Sequence, residues 1–202
     1  MADIKINEKL VVSQTGTAEP VLASNVTIPA AGITGTLGSG IFPTGHIIQI
    51  KSSTKTDTAT TTSEADNGVT TGLTVTLDNN LASSSNKVII MVSVGGISDG
   101  NGSSGSRFWI NGVNTSAEGD AGGSCQQVAF MSKIRADVGG QWDTVKTGSM
   151  TFEDAPATVT PQTYTLYMNS CNGGTIYLNR PFVQNGNGGN TISTITAMEI
   201  QV

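Results

Sequence analysis

The sequence predicts an all-β protein: an N-terminal arm and a short extended stalk, followed by an antiparallel β-sandwich of jelly-roll type. Three observations carry that reading. Charged residues make up only 12% of the 202 residues, and Gly (25 copies), Thr, Ser and Asn are used heavily in their place. Thr suits strands because its branched Cβ packs on a pleated surface, while Gly and Asn suit the turns between them. Short stretches of alternating or β-branched character recur after residue 46, and turn-forming clusters separate them. The third observation is that no segment holds a convincing helical period.

The first 19 residues, MADIKINEKLVVSQTGTAE, are polar around the short apolar centre Leu10-Val11-Val12, and read as an attachment arm. They include Asp3 and Glu8 and no continuous apolar core, unlike a secretory leader. Residues 20–45 carry no Asp or Glu and no Lys or Arg until the strands begin at 46. The strand candidates of the 46–202 domain are HIIQIKS (46–52), GVTTGLTVTLD (68–78), NKVIIMVSVGG (86–96), SRFWING (106–112), QQVAFMSKIR (126–135), TGSMTFED (147–154), TYTLYMNS (163–170), GTIYLNR (174–180) and TISTITAMEIQV (191–202). The continuous apolar run of 86–96 predicts a strand covered on both faces. QQVAFMSKIRADVG also fits a 3.6-residue period, but its alternation of Val128, Phe130 and Ile134 favours a strand. TYTLYMNS and GTIYLNR flank CNGG, which predicts a hairpin with an Asn-Gly turn. About nine short strands at such spacing are the pattern of a sandwich or jelly roll.

The chemistry-bearing residues are sparse. His46 is the single histidine and opens a strand after a Thr-Gly turn, so a surface or interface role is expected of it. No GxSxG or cysteine signature accompanies a candidate nucleophile, and no catalytic residue is assigned. One His and the distant Cys125 and Cys171 make no zinc spacing. The cysteines read as small buried apolar residues, with a disulfide as the alternative. Glu153 and Asp154 are adjacent and therefore point to opposite faces of a strand, whereas Glu118 and Asp120 can share a face. A glycosidase needs two acids about 5–10 Å apart in a cleft, usually beside aromatic platforms, and only two tryptophans are present. Asp99-Gly-Asn101-Gly-Ser103 alternates oxygens as a calcium loop does, but its twelfth position is Ile110 rather than Glu, so a hairpin loop is the simpler reading. The Asn25, Asn101 and Asn114 sequons are expected by chance in such a composition. Gly-rich GDAGG and QNGNGGN lack the Lys and the strand-to-helix setting of a phosphate loop. No cofactor and no metal is implied. Ten scattered basic residues and a net charge of −5 do not suit nucleic acid, and no apolar run reaches the roughly 18–20 residues of a membrane-spanning helix. Trp109 and Trp142 are the candidate receptor-facing aromatics.

The charge-free segment NVTIPAAGITGTLGSGIFPTGH poses its own question, because it is apolar yet too rich in Gly and Pro for a helix. Ile33, Leu37 and Ile41 recur every four residues, with Ile28 and Phe42 at the flanks. One extended chain cannot bury such a row, whereas three chains around a common axis can, with Gly admitting close backbones. Ile28, Ile33, Leu37, Ile41 and Phe42 are thus the expected stalk contacts of a homotrimer. The alternative is a strand laid on its own sandwich.

Two sets of residues resemble the virion fibre and appendage proteins of tailed bacteriophages, cyanophages in particular. One is IPAAGITGTL leading into TGHIIQIKSSTKTDTATTT; the other is SMTFEDAPATVTPQTYTLYM with GGTIYLNR and the terminal STITAMEI. The resemblance implies a homotrimeric β-sandwich knob displayed on the outside of a particle. It supplies no catalytic residue. The function expected from it is a short fibre or spike, on tail or head, that contributes to host-surface adsorption. Its partners would be its own copies, other virion proteins through the N-terminal arm, and a host-surface glycan or protein. Such a chain is made in the host cytoplasm and ends in the virion. The alternative is a capsid decoration or cement protein without receptor binding, and a glycan-cleaving enzyme ranks third.

Overall fold

The computed structural model describes residues 43–65, 68–99, 105–111, 118–120, 127–133, 145–182, 184 and 188–202, together with three short strands nearer the N-terminus. The chain divides into two compact units, Met1–Gly38 and Ser39–Val202. In the first, β1 (Ile4–Ile6), β2 (Lys9–Ser13) and β3 (Val21–Leu22) form an antiparallel sheet in that order. β1 and β2 lie in the 19-residue arm, and β3 falls in the 20–45 segment. Ile28, Ile33, Leu37, Ile41, Phe42 and the trimeric stalk expected of them lie outside the described residues.

The second unit is all β. Its strands are β4 (Ile47–Lys55), β5 (Ala59–Thr61), β6 (Val69–Leu77), β7 (Lys87–Asp99), β8 (Gly105–Asn111), β9 (Phe130–Lys133), β10 (Lys146–Asp154), β11 (Gln162–Ser170), β12 (Ile176–Leu178) and β13 (Ser193–Ile200). One sheet runs β4-β13-β7, with β10 on the other edge of β7 and β12-β5 continuing its far end; the second runs β6-β11-β8-β9. All pairings are antiparallel. Setting aside the short β5 and β12, the first long strand pairs with the last (β4/β13), the second with the second-last (β6/β11), then β7 with β10 and β8 with β9. A long ribbon folded in this nested way is a jelly roll.

The core lies between the sheets and follows directly from alternation. Leu73, Val75 and Leu77 of β6 meet Val88, Ile90, Val92 and Val94 of β7, joined by Phe108, Leu166, Met168 and Ile195. Each such side chain contributes about 1.5–3 kcal/mol by leaving water. Phe108 and Phe130 stack at 4.5 Å, nearly parallel, and Phe130 reaches across to Gly148 of β10, where a Cβ would stand 2.7 Å from its ring.

Two expectations fail here. β11 and β12 do not form a hairpin. Both edges of β11 are already taken by β6 and β8, so the turn through Gly173 carries the chain into the other sheet, where β12 pairs with β7 and β5. Nor, among the described residues, is β7 covered on both faces. Val88, Ile90, Val92 and Val94 are buried, but Met91, on the opposite face, is 46% exposed. The strand reading of 126–135 holds over Phe130–Lys133.

Candidate functional site

Three late stretches of the sequence each carry a buried polar residue that clasps distant parts of the fold. In SMTFEDAPATVTPQTYTLYM, Glu153 and Asp154 diverge as alternation requires. Glu153 is exposed and meets Lys87 at 2.5 Å, while Asp154 is fully buried and accepts the Tyr164 hydroxyl at 3.0 Å. Burial, then the Asp154 charge and the hydrogen bond to it, push the Tyr164 phenol well above the ordinary tyrosine range.

In GGTIYLNR the clasp is Asn179, fully buried at φ 63. Its Nδ2 donates to the carbonyls of Lys55 and Asp57 at 3.0 and 2.9 Å, and its Oδ1 accepts the Ser193 hydroxyl at 2.6 Å. Its backbone N–H reaches Gly96 O at 2.6 Å and its carbonyl accepts Thr191 N–H at 3.0 Å. Through side chain and backbone together, this one residue ties the end of β4, the bend of β7 and the start of β13. Arg180 beside it lies over the Tyr177 ring at 4.5 Å and donates to the carbonyls of Pro181 and Phe182.

In STITAMEI the buried group is Glu199, which shares the inward parity of Ile195 and Ala197 and is fully buried. Its Oε1 accepts Ala82 N–H at 2.7 Å and Asn86 Nδ2 at 2.6 Å, and its Oε2 accepts Gln49 Nε2 at 2.7 Å. This carboxylate pins the β6–β7 loop to the sheet, and composition gives no hint of it. The inward parity of an acid in an otherwise apolar alternation is the signal that finds it.

The expected chemical residues do not converge. The His46 ring is engaged through Nδ1 with Pro43 O at 2.8 Å. Glu118 and Asp120 are exposed. Asp99 is buried, and Asn101 and Ser103 lie outside the described residues. Among the described residues no three His, Cys, Asp or Glu side chains come together to hold a metal ion. Cys171 is a free, half-exposed thiol rather than a buried one, and Cys125 lies outside the described residues. Trp109 is 5% exposed, with its indole N–H donated to Gln127 O at 2.9 Å, so it packs rather than facing a receptor. Trp142 lies outside the described residues.

What the domain does present is the outer face of the β4-β13-β7-β10 sheet. Register places its side chains in rows across the strands. One row is Ile47, Ile200 and Lys87, and the next is Ile50, Met198, Ile89 and Glu153. The rows beyond turn to hydroxyls: Ser52, Thr196, Met91 and Thr151, then Thr54, Thr194, Ser93 and Ser149. A shallow open depression of about 280 Å³ sits over the hydroxyl rows, beside Met91. Ile47 is 50% exposed and Ile50 56%, both on the edge strand β4 and next to the half-buried Met198 and Ile200 of β13.

No family model and no curated protein matches the chain.

Proposed function

We propose that this chain is a structural virion protein of a tailed phage: a homotrimeric short fibre or spike whose jelly-roll domain is displayed on the particle and contributes to adsorption to the host surface. The observation that carries this reading is the double role of the motif residues. Asp154, Tyr164, Asn179, Arg180 and Glu199 make the resemblance to phage appendage proteins, and the same residues lock the jelly roll together. A scaffold locked by contacts of this kind is what a displayed knob needs, because its loops can then vary without loss of the fold. The low charge and the Thr- and Ser-rich sheet faces suit a part that stays folded outside the cell. N-terminal residues dock it on the particle.

The test is particle composition and adsorption. Proteomics of purified virions should find the chain, antibodies raised against it should label intact particles, and the purified full-length protein should compete with virions for host cells. Absence of the chain from purified particles overturns the proposal. Labelled particles whose adsorption is unaffected by saturating protein would remove the host-binding part and leave a decoration role.

A further inference from the structure

We infer that the outer face of the β4-β13-β7-β10 sheet is where copies of this chain meet. The sequence already demanded a cover for it. The apolar run of β7 continues on both parities, yet among the described residues only one is covered, leaving Ile89 and Met91 on the outside. Register then adds Ile47 and Ile50 from β4 and Met198 and Ile200 from β13 as their direct neighbours, so the six side chains form one patch.

Charge selects the occupant. The chain carries a net charge of −5, so two copies repel unless they approach through a neutral surface. The two ionic groups in these rows, Lys87 and Glu153, neutralise each other at 2.5 Å. Covering them strands no charge, and the Ser52 and Thr196 hydroxyls likewise satisfy one another at 2.9 Å. An anionic partner such as nucleic acid or a lipid headgroup surface finds no basic rim to read, whereas copies that turn this face toward a shared axis meet surfaces as neutral and apolar as their own. Four strands about 4.8 Å apart and four rows about 6.8 Å apart give a face of about 500 Å². That is below the roughly 800 Å² per partner of a standard interface, so the contact belongs with the small, weaker interfaces. The inference rests on the proposed homotrimer for the number of copies, not for the surface.

The test combines sedimentation with oxidative footprinting of the full-length protein. The wild type should sediment as a trimer in the micromolar range, and Ile50→Lys should weaken association by about tenfold or more. Ser93→Arg makes the same test at an exposed hydroxyl where folding is not at stake, and Val159→Lys, exposed elsewhere, should leave association unchanged. In hydroxyl-radical footprinting, Met91 should be protected several-fold relative to Met131, which is similarly exposed off this face. That protection should disappear on dilution to monomer. A wild-type monomer at every concentration overturns both the trimer and this interface. A trimer in which Met91 and Met131 oxidise alike, or that Ile50→Lys and Ser93→Arg leave intact, overturns the interface alone. Met91 protection that survives dilution assigns the cover to the chain's own residues and likewise overturns it. A dimer dissolved by the face variants upholds the interface and refutes the trimer.

Discussion

The Tyr164 hydroxyl donates to Asp154 Oδ2 at 3.0 Å, and both side chains are fully buried between the sheets. This bond joins the end of β10 to the start of β11 across the jelly roll, the two strands belonging to different sheets. Tyr164→Phe removes the donor but keeps the ring. It should cost about 1–3 kcal/mol in urea denaturation at neutral pH, since a buried carboxylate oxygen loses a partner.

The same pair gives a pH signature. Burial and the neighbouring Asp154 raise the Tyr164 phenol in the folded protein above its unfolded value. Below about pH 10 the phenol is neutral in both states, and its contribution is complete. Above that the unfolded phenol ionises first, so stability drains away as pH rises toward the folded value. Denaturation curves from neutral pH to about pH 11 should show the wild type losing stability more steeply than Tyr164→Phe. Parallel losses in the two proteins would refute the assignment.

Glu199→Gln tests the second clasp. The glutamine nitrogen must face one of the three donors that now meet the carboxylate, Ala82 N–H, Asn86 Nδ2 or Gln49 Nε2. The expected loss is about 2–4 kcal/mol. Hydrogen exchange at the Ala82 amide should accelerate along with it, because the loop is then released from the sheet.

Much of this fold was legible because strand alternation is a strictly local signal. Leu73, Val75 and Leu77 announce the inward face of β6 from their spacing alone, and the divergence of Glu153 and Asp154 follows from the same period. The β11–β12 connection was not legible. An Asn-Gly turn says that the chain reverses, but whether the next strand pairs with the last depends on edges occupied by residues far away in sequence, here Thr70–Leu77 of β6 and Ser106–Asn111 of β8. Trp109 failed as a receptor-facing candidate for a similar reason: Gln127, 18 residues on, returns to take its indole N–H. Met91 is the converse, an apolar residue in an apolar run that the chain's own fold leaves open.

Gly95 sits where the chain entering β13 crosses β7. A Cβ there would lie 1.9 Å from the Ile192 carbonyl oxygen and 3.0 Å from Thr191 Oγ1, and the first of these is backbone that cannot rotate aside. Gly95→Ala should therefore lose about 3 kcal/mol or more in equilibrium unfolding. Gly119→Ala, with nothing within 4 Å of its added carbon, is the matched control and should stay within about 0.5 kcal/mol of the wild type.

Ala157 offers the opposite sign. It is exposed in the β10–β11 turn at φ 54, a left-handed conformation that costs an L side chain about 1–2 kcal/mol. Ala157→Gly relieves that strain and gives back about 0.5–1 kcal/mol through the freer unfolded chain. The net is a gain of up to about 1 kcal/mol, read as a higher midpoint in urea with an unchanged slope.

Asn179 combines both effects, and two substitutions separate them. It holds φ 63 while its side chain bonds to the Lys55 and Asp57 carbonyls and to the Ser193 hydroxyl. Asn179→Gly keeps the backbone conformation free of strain but leaves two buried carbonyls and a hydroxyl short of a partner, for an expected loss of about 2–4 kcal/mol. Asn179→Ala suffers the same losses and adds the left-handed penalty of about 1–2 kcal/mol. Thermal or urea unfolding should therefore rank wild type above Asn179→Gly and Asn179→Gly above Asn179→Ala. If alanine and glycine prove equal, the left-handed backbone at Asn179 contributes nothing, and the clasp works through its side chain alone.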